Sequence, residues 1–101
     1  MSGLRMSLPT LLVLRALAEQ GDQPLYGYDL MRRTELKSGT LYPILTRLER
    51  HGYLNSEWEA VDPAQAGRAA RRVYTLTPEG HTFTQAELRK AQQALGGLTH
   101  A

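Results

Sequence analysis

The chain has 101 residues, 42% hydrophobic and 22% charged, which suits one domain with a modest core. It contains no run of 18 or more apolar residues to span a membrane, and its start lacks the basic–apolar–small pattern of an export signal. Twelve Lys/Arg against ten Asp/Glu leave a net charge of +2, and the lack of cysteine excludes disulfide and thiolate chemistry and fits a reducing cytoplasm.

In chain order, Ser7-Leu8-Pro9 reads as a helix start. Ser7 is the cap, and Pro9 sits in the first turn, where a missing N–H matters little. Leu8, Leu11, Leu12 and Ala18 fall on one face, widened by Val13, Leu14 and Leu17, and the helix ends near Gly21. "GDQP" is a turn. A second short helix is predicted from Leu25 to Thr34, with Tyr26, Leu30 and Met31 available for the core. Gly27 inside it costs about 1 kcal/mol of helix propensity, which close packing against a neighbouring element would offset.

"ELK" is the next turn, followed by a third helix over 38–51. Leu41, Ile44, Leu45 and Leu48 sit at i, i+3, i+4 and i+7 on it, and Gly52 ends it. Either Ser38 or Thr40 is its cap. With Ser38, Pro43 lies just beyond the tolerated first turn and bends the helix; with Thr40 the conflict disappears. "YLNSEWEAV" and "RRVYTLT" alternate and are rich in Tyr, Trp, Val and Thr, so they read as two antiparallel strands. "DPAQAGRAA" between them is predicted to project as a flexible tip. Thr77-Pro78 caps and opens a last helix with a weak apolar stripe of Phe83, Ala86, Ala91, Ala94, Leu95 and Leu98. "GGLTHA" is expected to fray.

The predicted class is mainly α (α+β). Two helices joined by a short turn, then a hairpin, form a winged helix-turn-helix with a two-stranded wing. Residues 1–76 make the winged unit, and 77–101 a C-terminal helix whose stripe has no obvious intrachain partner. The open face of the third helix carries Thr40, Pro43, Thr46, Arg47 and Arg50, free for a DNA groove, with Tyr42 at its margin. Residues 32–52 hold Arg32, Arg33, Lys37, Arg47 and Arg50 against Glu35 and Glu49, while residues 68–72 hold Arg68, Arg71 and Arg72 and no acid. Two such clusters are what a polyanion partner requires. Lys37 and Ser38 lie at a helix N-terminus, which favours phosphate. The fork of Arg47 matches phosphate or guanine.

"YGYDLMRR", "SGTLYPILTRLERHGYL", "SEWE" and "GRAARRVYTLTPEG" resemble the PadR-like transcriptional regulators from about Leu8 to Gly80. The resemblance implies a dimeric winged-helix DNA-binding protein, usually a repressor acting on a palindromic operator. It puts the helix matching 38–51 in the major groove, the basic tip 67–72 on backbone or minor groove, and the last helix between two subunits. The corresponding dimer residues here are Phe83, Ala91, Leu95 and Leu98. Departures lie in the wing, with Ala69-Ala70 where a proline and a basic or small residue are frequent, Val73 where an aromatic is common and Thr75 where a basic residue is common. Little chain follows Gly80, so a large C-terminal effector domain is not expected.

Each candidate also has a plainer reading. The arginines could be solvated surface charge, Thr40 a mere cap, and Tyr42 a ring packed under the wing. Trp58 is expected in the sheet core. Ordinary packing is expected for Tyr26 and Tyr28. His51, His81 and His100 lack metal-ligand spacing, and no phosphate loop, nucleophile elbow or carboxylate pair appears, so no enzyme, metal or cofactor is expected. The competing function is a winged-helix module that binds protein and not DNA. A small apolar effector held between the first and last helices would be an addition to the DNA-binding reading.

Overall fold

The computed structural model describes residues 6–99, with side chains up to Gly96. In chain order the elements are α1 (Leu8–Glu19), β1 (Leu25–Tyr26), α2 (Gly27–Thr34), α3 (Ser38–Arg50), β2 (Leu54–Trp58), α4 (Pro63–Ala66), β3 (Arg72–Leu76) and α5 (Pro78–Thr99). Among the described residues, no helix is long and apolar enough to cross a membrane.

Ser7 caps α1 as its sequence predicts, accepting from the Thr10 amide at 3.4 Å. The buried face of α1 differs from the expected stripe. Val13, Leu14, Ala16 and Leu17 are buried, while Leu8 is 68% exposed and Leu11 and Leu12 are half-buried. Helices α2, α3 and α5 all pack on α1, and Leu8, Leu11 and Leu12 line a groove left open between α1 and α5.

The second helix does not begin at Leu25. Leu25 and Tyr26 pair antiparallel with Tyr74 and Val73, making a third strand, and α2 starts at Gly27. Tyr26 is extended, and its amide donates to Asp29 Oδ2 at 3.1 Å, which closes the first turn of α2. Neither Ser38 nor Thr40 caps α3. Lys37 does, its carbonyl accepting from the amides of Thr40 and Leu41 at 3.0 and 2.9 Å. Pro43 therefore lies inside the helix and deprives the Gly39 carbonyl of its donor. Gly39 and Pro43 are both exposed, so water can serve that carbonyl. Gly52, at φ +80°, follows the His51 C-cap as expected.

The sheet order is β1-β3-β2, with Leu54 opposite Leu76, Ser56 opposite Tyr74 and Trp58 opposite Arg72. Both wing strands are shorter than their alternating sequences. The expected flexible tip contains one helical turn, α4, capped by Asp62 and closed by Gly67 in the left-handed region at φ +72°. Trp58 is not in the core. It is 63% exposed, at the end of the β2–β3 pair that β1 does not reach.

Thr77 caps α5 as expected, its hydroxyl accepting from the Gly80 amide at 2.9 Å. The same hydroxyl donates to the Gly52 carbonyl at 2.8 Å, and the Thr77 amide donates to the Tyr53 carbonyl at 3.0 Å. These bonds join the start of α5 to the end of α3. Helix α5 runs through Gly96 and on to Thr99, so the expected fraying does not begin at Gly96. Part of its stripe does have an intrachain partner. Phe83 stacks on Tyr53, ring centroids 4.3 Å apart, and packs on the core. The side chain of Leu98 lies outside the described residues.

Thr84 is fully buried on α5, and its hydroxyl has no hydrogen-bond partner among the described residues. An orphaned buried hydroxyl is destabilising. Thr84→Val keeps the shape and removes that group. We expect it to raise stability by about 1 kcal/mol, read as a higher urea midpoint with an unchanged slope.

Candidate nucleic-acid interface

Helix α3 buries Leu41, Ile44, Leu45 and Leu48 and turns Ser38, Thr40, Tyr42, Pro43, Thr46, Arg47 and Arg50 outward. Lys37, just before it, is also exposed. The first turn of α3 holds no acidic residue, so its free amides and the positive end of the helix dipole face solvent uncompensated. Arg47 and Arg50 sit in the last turn, where cations suit the dipole. Among the described residues, neither guanidinium has an ion-pair partner; the two ion pairs are Arg68–Glu59 and Lys90–Glu87. Thr46 donates its hydroxyl to the Tyr42 carbonyl at 3.0 Å, which leaves its methyl group and a lone pair outward.

Tyr42 explains Gly27. A Cβ at position 27 would overlap the Tyr42 hydroxyl, so the glycine gives the ring its place. Tyr42 in turn lines a recess of about 340 Å³ shared by α2, α3 and the wing, with Tyr28, Trp58, Arg71, Arg72 and Tyr74 among its walls. Tyr28 and Trp58 are the exposed aromatics the sequence did not mark as surface groups. Their residue types are common in cores, and which element covers them cannot be read from the local pattern.

The three wing arginines are held differently. Arg68 pairs through Nη1 with Glu59 Oε1. Arg71 is exposed and lies 5.5 Å above the Tyr26 ring, a cation–π geometry. Arg72 lies 5.0 Å from the Trp58 ring and donates to Ser56 Oγ. Ser56 donates to Glu49 Oε2 at 2.7 Å, tying the wing to α3.

Glu59 accepts two further bonds, from Tyr26 Oη at 2.7 Å and from the Arg71 amide at 3.1 Å. The Arg68 guanidinium, then the Tyr26 hydroxyl, hold its carboxyl down at about 2. The same carboxylate pushes the Tyr26 phenol up and keeps Arg68 protonated. A depressed carboxyl stabilises the native arrangement above its unfolded value near 4.5, and that contribution fades as pH falls toward 2. We therefore expect the Arg68 guanidinium to stay protected from proton exchange down to about pH 4.5 and to lose protection progressively below it, as followed by NMR.

The expected dimer residues are divided. Phe83 is engaged within the chain. Ala91 and Leu95 line a groove of about 240 Å³ between α1 and α5, with Leu8, Leu11, Leu12 and Leu88. Leu95 is 61% exposed at its edge. Among the described residues, no group of His, Asp and Glu could hold a metal ion.

Residues 13–86 match the transcriptional regulator PadR-like family. The chain belongs to that family. It is thus a transcriptional regulator of the PadR-like family with a winged-helix fold. Transcriptional regulator Rv3488 of Mycobacterium tuberculosis is 47% identical over 66 residues, which span 61% of this chain and 57% of that protein. The PadR-like transcription factor of Bacteroides fragilis superposes with a TM-score of 0.69 at 28% identity, over 90% of this chain and 85% of the other. A PadR-family regulator of Clostridium difficile R20291 superposes with a TM-score of 0.77 over 93% and 97% of the two chains; at 22% identity it supports the fold alone.

Proposed function

We propose that this PadR-family regulator binds duplex DNA as a C2 homodimer and represses transcription from a palindromic operator in the cytoplasm. The winged unit over 1–76 reads the DNA, and α5, within 77–101, joins the subunits. The observation that carries this reading is the continuity of α3 with the wing: Tyr42 from the outward face of α3 and Arg71 and Arg72 from the wing line one recess, and the same helix turns Arg47 and Arg50 to solvent. A helix presenting arginines with a cationic wing beside it matches the width of a major groove and its flanking backbone. Lys37, Ser38 and Thr40 meet phosphate at the N-terminus of α3, Tyr42 and Pro43 border the groove, and Thr46, Arg47 and Arg50 face it.

Selection from random duplexes tests this directly. A recovered palindrome is the expected result, with affinity falling steeply as salt rises. Arg47→Ala should weaken the selected site by about 1–3 kcal/mol if the guanidinium meets a base. If it meets phosphate, all sequences weaken together and the salt slope shrinks by about one unit. No duplex binding at low salt would leave the protein-binding module as the reading.

A further inference from the structure

We infer that Glu59 is the positioning residue of the wing: it fastens the hairpin to the start of α2 and withholds Arg68 from DNA, so that Arg71 is the arginine the wing presents. This rests on the DNA-binding reading above for its consequence, though the fastening itself is a property of the free protein.

The geometry argues against an incidental surface ion pair. Exposed pairs contribute little and are mobile. The Glu59 side chain is only 7% exposed and takes donors from three places in the chain. Tyr26, 33 residues earlier, donates to Oε2; Arg68 and the Arg71 amide share Oε1. The Glu59 amide also donates to the Arg71 carbonyl at 2.8 Å, so this residue is bound to Arg71 in both directions. Arg68 Nη1 donates to the Ala69 carbonyl as well, at 3.1 Å, which folds the guanidinium back onto its own loop. Tyr26, once anchored by Glu59, offers its ring to the Arg71 guanidinium.

An acid among basic groups beside DNA would ordinarily weaken binding by repulsion alone. On that view Glu59→Gln tightens cognate and random duplexes equally. Fastening predicts otherwise. Releasing Arg68 adds a mobile cation, so random DNA binds several-fold more tightly and the salt slope steepens by about one unit, the signature of one more neutralised phosphate. Losing the placement of Arg71 removes a positioned contact, so the cognate-to-random ratio falls about tenfold.

The experiment compares wild type, Glu59→Gln, Tyr26→Phe and the double variant Glu59→Gln/Arg68→Gln. Affinities for a selected and a random duplex are measured at two salt concentrations. In parallel, trypsin cleavage after Arg68 and Arg71 is timed without DNA, with urea midpoints to verify folding. Fastening predicts slow cleavage in wild type, faster cleavage in Glu59→Gln and in the charge-neutral Tyr26→Phe, and a return of the steepened salt slope to the wild-type value in the double variant. Equal cleavage rates in wild type and Glu59→Gln overturn the fastening. A slope that stays steep in the double variant, or an unchanged cognate-to-random ratio in Glu59→Gln, overturns the role assigned to Arg68 and Arg71. Wild type that binds no duplex would refute the DNA reading, while the cleavage rates would still decide whether Glu59 holds the wing.

Discussion

Leu95→Glu is expected to convert the protein to a monomer and to lower its affinity for a palindromic duplex by about 10²-fold or more, the advantage that two linked half-sites confer. Leu95 and Leu8 are 61% and 68% exposed at the rim of the groove between α1 and α5. Large leucines left in water at two neighbouring helix surfaces suit the subunit interface of the proposed dimer. A second copy is the natural partner, since a C2 interface uses the same patch twice. Burying one leucine contributes about 1.5–3 kcal/mol, and symmetry applies the loss at both copies. Glutamate adds the penalty of desolvating a carboxylate at each. Sedimentation at micromolar concentration reads the assembly, and a duplex titration reads the affinity. A dimer that survives the substitution would move the interface away from this groove.

Gly80→Ala is expected to destabilise the protein strongly for the addition of one methyl group. Gly80 is buried in the first turn of α5, and a Cβ there would overlap the carbonyl oxygen of Tyr53. That oxygen belongs to backbone and accepts from the Thr77 amide at 3.0 Å, so it cannot swing aside as a side chain would. Relief requires α5 to lift from the end of α3, which strains the Thr77 bond to Gly52 and the Tyr53–Phe83 stack. Overpacking of this kind costs about 1–3 kcal/mol, and a lost hydrogen bond about 1 kcal/mol more. For a domain of this size each kcal/mol lowers the melting temperature by about 4–8 °C. Gly39→Ala is the control. Beyond its chain neighbours and its own helix backbone, nothing lies within 4 Å of a Cβ there, so it should stabilise α3 by about 0.5–1 kcal/mol. Urea denaturation of both variants checks the pair, and a Gly80→Ala protein as stable as wild type would show that the α3–α5 joint is soft.

Features that depend on near neighbours are legible in the amino-acid order alone. Ser7, Gly52 and Thr77-Pro78 mark helix ends because capping is a matter of a few adjacent residues. Leu41, Ile44, Leu45 and Leu48 declare the buried face of α3 because helical periodicity brings them together without help. The outward face with Arg47 and Arg50 follows from the same periodicity. The family resemblance drew on these same local patterns.

Tertiary structure decided whatever depends on which element covers which. Leu25 and Tyr26 form a strand only because β3 offers them an edge. Trp58 is a residue type typical of cores, yet it stays exposed, with the Arg72 guanidinium over its ring. Ser38 and Thr40 both look like caps, yet the chain enters α3 at Lys37, one residue before the first and three before the second. The three wing arginines are equivalent in sequence. They differ in the fold because Glu59, Tyr26 and Trp58 lie within reach of different ones, and the link between Tyr26 and Glu59 spans 33 residues. Periodicity reports that a face is apolar or charged; only the folded chain brings to that face the partner that buries it, neutralises it or leaves it open.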